Sequence, residues 1–278
     1  MHIQLASTID EVISELQKII DDCKQREDRL GYFPALYQIV TIKVKEGCEN
    51  GFFENPKRME ALDVLFANRY LEAFIQYQKG EKPTEVWEIC FNATKNFWPT
   101  VLQHLMVAMN AHINLDLGIA AGIIAPGNEI NSLHADFNKI NVVLNSLIDG
   151  TEEQLAKIWK PFGLINKWMG NKDTKLAIFS MKIARAEAWK VALKAAACQG
   201  EALKAYIAER DQEMTWLASK LVNPGLIPNL LLYPIRLTEQ GTTSRKIEML
   251  YDILPDRTPQ ELFEAHVQTY DDKEELLA

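Results

Sequence analysis

The sequence predicts an all-α protein, a single-domain bundle of roughly ten helices around one central apolar helix. Three observations predict it. Apolar residues recur at three- and four-residue spacing along most of the chain, where strand signals hardly occur, and helix-capping signals precede one run after another. The third is the stretch from Asn96 to Asn128, in which Asp116 is the only formally charged residue. Such a stretch belongs inside a bundle, where each polar side chain needs a partner or costs a few kcal/mol.

The elements follow in order. Thr8 opens a T-x-x-E capping box with Glu11, and Ile9, Val12, Ile13, Leu16, Ile19 and Ile20 continue at helical spacing. A second helix is predicted from Pro34 to the turn at Glu49–Gly51. Its β-branched run IVTIKV could be a strand, but no partner strand is in sight, so it reads as helix. Asn55 followed by Pro56 starts the third, and Gly80 stops it. Between them Met59, Leu62, Leu65, Phe66, Tyr70 and Phe74 form a core-facing stripe. A shorter helix begins near Thr84, and Pro99 marks the start of the central run. Beyond Pro126–Gly127 a helix is expected from Ser132 to Ile148, then a separate one capped by Thr151 with Gln154 and interrupted at Pro161. Asp173 is read as the cap of an Ala-rich helix from Leu176 to Cys198, and another runs from Glu201 to Val222. The proline-broken segment NPGLIPNLLLYPIRL reads as a packed connection. Thr258 and Glu261 form a last capping box. No repeat or linker divides the chain, so residues 1–270 are expected to be one domain and 271–278 a frayed acidic tail.

Composition narrows the function. A net charge of −8 and the absence of any Lys/Arg cluster argue against nucleic acid and anionic membrane as partners. The polar centre of the apolar run argues against a membrane span. Met1–Val12 lacks the basic start and apolar core of a signal peptide, and the four cysteines form no framework, so a reducing cytoplasm is expected. None of the five histidines stands in an ExxH or HExxH motif. A GxSxG elbow, a P-loop and a GxGxxG turn are also missing, so no nucleotide cofactor is expected. The acidic run Asp271–Glu275 reads as a solvated charge run.

The chemistry-bearing residues gather in two places. His112 and Asp116 stand at i, i+4, about 40° and 6 Å apart on an α-helix, so both can face one metal ion, or the carboxylate can orient the imidazole. A carboxylate buried there without a cationic neighbour in sequence would be costly, which favours a site. His104, about 12 Å away, reads as a hydrogen-bonded core histidine. Asn110 and Asn114 form another i, i+4 pair. In LHADFNKIN, His134, Asn138 and Asn141 share one face, while Asp136 is expected to point away as a first-turn carboxylate. The short loop at Pro126 makes the two helices antiparallel neighbours, and a bend at Gly118 or Gly122 would bring His134 toward Asp116.

The segments RMEALDVLFANRYLEAF (58–74), LQHLMVAMNAHINLDLG (102–118), LHADFNKIN (133–141) and ARAEAW (184–189) resemble a predominantly bacterial family of unknown function, the domain-of-unknown-function family numbered 5995. The resemblance covers most of the chain in the same order. It implies a soluble all-helical protein and no particular activity, and it adds Arg69, Arg185 and Trp189 as candidates to line the same pocket.

From these residues a metal-dependent hydrolase for a small ester or phosphoester is expected, with His112, Asp116 and His134 holding a divalent ion such as zinc. Asp116 and His134 would do the catalytic work, and a metal-bound water would be the nucleophile. Asn110, Asn114, Asn138, Asn141, Arg69, Arg185 and Trp189 would contact the small-molecule substrate. Two alternatives stay open. One is a non-catalytic helical protein that binds an apolar ligand. The other is a metal-independent cyclase or lyase with His112 and Asp116 as acid and base. Oligomeric state is not encoded in any feature of the sequence.

Overall fold

The computed structural model describes residues 1–160, 172–252, 258–261 and 264. It is a single helical domain, 81% helical, and no strand occurs among the described residues. Helix α1 spans Ile9–Arg26, with the Thr8 hydroxyl accepting from the Glu11 amide, and buries Val12, Leu16, Ile19 and Cys23. Helix α2, Tyr32–Glu49, contains the IVTIKV run and places Pro34 in its first turn, where a missing N–H costs nothing. The β-branched side chains are tolerated because Ile39, Thr41 and Val44 pack inward and burial outweighs their weak helix propensity. Helix α3, Pro56–Lys79, begins at the Asn55 cap and ends at Gly80, whose φ of 74° is the left-handed conformation that glycine adopts at no steric cost.

Helix α4, Glu85–Ala93, has no side-chain cap of its own at Thr84. Asp211 supplies it from afar, its two oxygens accepting from the Glu85 and Val86 amides at 2.7 and 3.0 Å. Helix α5, Val101–Met109, is closed by a capping box between Thr100 and Gln103, one residue after the predicted start at Pro99. The chain then runs through a π-helical segment, Asn110–Leu117, directly into α6, Gly118–Ile124. A regular α-helix was expected there. π-Helix is rare and is found mostly where function has displaced the regular ladder. By length and composition Val101–Ile124 could cross a membrane, and 78% of its apolar window is buried inside this bundle.

The second half is built from α7 (Ile130–Ile158), α8 (Lys172–Ala196), α9 (Gly200–Val222), α10 (Leu226–Thr238) and α11 (Thr243–Tyr251). Three expectations change. Helix α7 is continuous through Thr151, whose hydroxyl donates to the Leu147 carbonyl one turn back, so Thr151 caps nothing. The proline-broken segment is largely helical, with Pro234 inside α10, and Leu226, Ile227 and Leu230 lie exposed rather than packed. Asp173 lies inside α8 rather than before it. The Thr258–Glu261 capping box is present. The break at Pro161, with Trp168 and Met169 after it, and the 271–278 tail fall outside the described residues.

Two apolar clusters make the core. One joins α1, α2, α3, α4 and α5 around Leu16, Tyr70, Trp87 and Leu115. The other joins α6, α7 and α8 to Phe52, Phe53 and Met59. Val40, Val64, Phe66 and Met109 touch both clusters. The seam they mark is where the π segment lies.

Candidate functional site

Two buried aspartates from distant helices set the frame of the site. Asp136 of α7, fully buried, accepts from the Glu54 and Asn55 amides at 2.7 and 2.9 Å and so fixes the start of α3. It points into the protein, contrary to expectation, because free amides at a helix start hold a carboxylate better than solvent-facing neighbours do. Asp211 does the same for α4. Helix α3 then presents Phe66 and Arg69, and α4 presents Trp87, to the π segment.

Asp116 is 1% exposed. It does not orient His112. Arg69 Nε donates to its Oδ1 at 2.6 Å and Trp87 Nε1 to its Oδ2 at 2.8 Å. The carboxylate that looked alone in sequence therefore has a cation, supplied 47 residues upstream. Burial raises the Asp116 carboxyl above its ordinary value, while Arg69 and the Trp87 N–H pull the other way.

His112 is 4% exposed and enclosed by rings. Phe66 stacks on it at 3.6 Å and 14°, Tyr37 meets it edge-on at 4.3 Å, and Phe33 and Trp87 stand at 5.2 and 6.3 Å. Neither ring nitrogen has a hydrogen-bond partner. Burial, with Arg69 nearby, holds the imidazole well below its ordinary pKa, so it is neutral at physiological pH. A neutral imidazole has one N–H to give and one lone pair to receive, and here both are unused.

The sequence reading missed Asp63. Its Oδ2 is buried without a partner, and burial, reinforced by Glu60, pushes the carboxyl up to about 8. It carries its proton at pH 7. Asp63 is close enough to Tyr37, the ring edge-on to His112, to raise that phenol further. A signal was present: Asp63 sits four residues after Met59 and three before Phe66, on the stripe that had to face the core. Trp87, Phe66 and Tyr37 were also missed as site residues, and nothing in sequence ties Trp87 to Asp116.

The other predicted residues go elsewhere. His134 is exposed, its Nε2 3.1 Å from the Asn138 amide nitrogen and its ring 4.4 Å from Trp189. Arg185 is buried beside them, its Nη2 donating to the Phe137 carbonyl and its guanidinium 4.3 Å from the Phe137 ring. Burial pushes it down to about 9. Asn141 is half-buried with an unpartnered Oδ1. The face of α7 bearing His134 and Asn138 thus looks outward, because Leu133, Asp136 and Phe137 occupy the inward one. Asn110 donates to the Met214 carbonyl, and Asn114 donates to Asn110, which ties the π segment to α9. Of the expected pocket, only Arg69, His112 and Asp116 converge. Among the described residues no three His, Cys, Asp or Glu side chains are placed to hold a metal ion, the set His112, Asp116 and His134 included. Gly118 and Gly122 face α8. They let α8 approach, since a Cβ on Gly118 would lie 2.5 Å from the Ala188 carbonyl.

A family model described as a family of unknown function, DUF5995, matches residues 9–224, which contain every candidate above. No curated protein and no solved structure matches the chain.

Proposed function

The chain belongs to DUF5995, a family of unknown function, and from the site itself we propose that it binds a small polar substrate at the π segment and moves a proton with His112 as base, in metal-independent chemistry of the lyase or isomerase class. One observation carries this reading: both nitrogens of His112 are buried without partners. A buried unpaired polar group costs about 1–3 kcal/mol, and phenylalanine would sit among these rings at no such cost. A residue kept at the expense of stability points to function.

The roles follow from environment. His112 is neutral and has a free lone pair, which suits a base. Asp63 holds a proton near neutrality, which suits an acid, and two titratable groups pushed in opposite directions are the usual mark of an acid–base site. Arg69 is anchored by Asp116, so its remaining N–H groups are oriented and available to a substrate oxygen. Phe66, half-buried, covers His112 and has to turn aside for a substrate to reach it.

The metal-dependent hydrolase draws less support from this geometry. Both Asp116 oxygens are engaged by N–H donors and His134 lies with Trp189. The apolar-ligand reading fares no better. A cleft of about 350 Å³ between α1, α7 and α11 mixes Ile20, Ile247 and Met249 with Lys24, Lys157, Arg245 and Glu248 in its lining, and none of the candidate residues reaches it.

The test is His112→Phe beside wild type, with a panel of small carbonyl and hydroxy acids screened by thermal shift, with and without chelator. The expected outcome is a variant more stable by about 1–3 kcal/mol that loses every wild-type hit, while chelator changes nothing. A variant less stable by about 2 kcal/mol or more would make His112 a packing residue, and hits that vanish with chelator would restore the metal reading.

A further inference from the structure

A cavity of about 20 Å³ lies on the far side of the rings that enclose His112. Phe33 and Trp87 belong to both walls. The space suffices for one water-sized group. What lines it is one-sided. The polar lining comes from Arg29, Tyr70, Cys90, Thr94 and His104, with one tyrosine more, and includes no carboxylate. Arg29 spends Nη1 on the Thr94 and Asn96 carbonyls and pairs with no carboxylate among the described residues. His104 is 5% exposed, and its Nε2 is buried without a partner.

We propose that this cavity is a binding site for a small monatomic anion, a halide, held by Arg29 and His104. Both residues line it, His104 brings a buried nitrogen without a partner, and no carboxylate lines the space. Burial depresses the His104 imidazole to about 3, with Arg29, Arg236 and Lys246 adding to the effect, so neutral His104 contributes an N–H. Glu239 pairs with Arg236 and Lys246, which leaves Arg29 as the cation of this group without a carboxylate partner among the described residues. Burial raises the Tyr70 phenol and the Cys90 thiol, which keeps both as donors at neutral pH. Size sets the selectivity, because formate and inorganic phosphate both exceed the space.

The site does not depend on His112 being a base, so the test uses no turnover. Chloride NMR line width is measured on the full chain in sodium gluconate of constant ionic strength, with formate and inorganic phosphate as competitors. Wild type should broaden the chloride line saturably, and neither formate nor phosphate should reverse the broadening. Arg29→Gln should weaken binding at least tenfold. Ala108→Val, which fills the cavity from its wall and leaves every charge in place, should abolish it. Wild-type broadening that is absent, reversed by formate or phosphate, or kept in both variants would overturn the proposal.

Discussion

At the scale of single residues, charge at this site is governed by partners far away in sequence. Asp116 has two charge-assisted or indole donors, and Arg69, with an 18% exposed side chain, has Asp116 as its carboxylate. Replacing one member of such a pair leaves the other partly buried and unpaired. Asp116→Asn should therefore destabilise the protein by roughly 2–4 kcal/mol, scaled down from a fully buried pair because Arg69 keeps some water. Urea unfolding measures it, and Arg69→Met with the double variant closes the cycle. If Asp116→Asn unfolds at the wild-type midpoint, the ion pair does not support the fold. The opposite behaviour of His112→Phe, more stable and inactive, is what separates a base from a strut. Both residues are buried at i, i+4 on one segment. The contrast between them lies in hydrogen bonding, which spacing does not reveal.

At the scale of elements, helix starts are set by side chains from elsewhere, and helix approach is set by missing ones. Asp136 and Asp211 each occupy the amide end of another helix, which is why α3 and α4 deliver Arg69 and Trp87 to one carboxylate. Gly118 and Gly122 sit one turn apart on α6, against α8. A methyl at Gly118 would meet the Ala188 carbonyl at 2.5 Å and Val191 Cβ at 2.6 Å, so the helices would have to part. Gly118→Ala ordinarily gains about 1 kcal/mol of helix propensity. Here overpacking of about 1–3 kcal/mol or more should reverse the sign. Thermal melting decides: a variant as stable as wild type would show that α6 and α8 separate freely. The caps at Thr8, Asn55 with Pro56, and Thr258 were legible because a cap is local in sequence. The continuity of α7 through Thr151 and the π segment were not, since both depend on packing against neighbouring helices.

At the scale of the whole molecule, buried groups that keep the wrong protonation state shape the dependence of stability on pH. Folded Asp63 holds its proton up to about 8, whereas the unfolded chain releases it near 4, so stability falls as pH rises through that window. His112 and His104 refuse protons in the folded state that the unfolded chain takes up below about 6.5, so stability falls as pH drops below that value. Just below about 6.5 the two histidines oppose Asp63, and the net effect is loss toward acid, while the raised Asp116 and Asp211 carboxyls add to the Asp63 side as pH falls further. Between about 6.5 and 8 Asp63 acts alone, at about 1.4 kcal/mol per pH unit. Stability should peak near pH 6.5, and Asp63→Asn should flatten the decline on the alkaline side. Denaturant midpoints across pH 5–9 test this, and an unchanged alkaline slope in the variant would mean that Asp63 is ionised in the fold.

The sequence by itself determined that the chain is all-helical, where most helices begin, that the polar centre of the apolar run lies inside the bundle, that Asp116 is buried, and which family the chain resembles. Periodicity and caps are local, and apolar length forces burial whatever the neighbours are. Only the tertiary structure decided which polar residues meet. It paired Asp116 with Arg69 and Trp87, left His112 without a hydrogen bond, turned His134 outward and Asp136 inward, and placed Asp63 beside Tyr37. Those outcomes depend on the relative rotation and offset of helices many residues apart, and a shift of one position along a helix turns a side chain about 100° away from the face it would otherwise occupy.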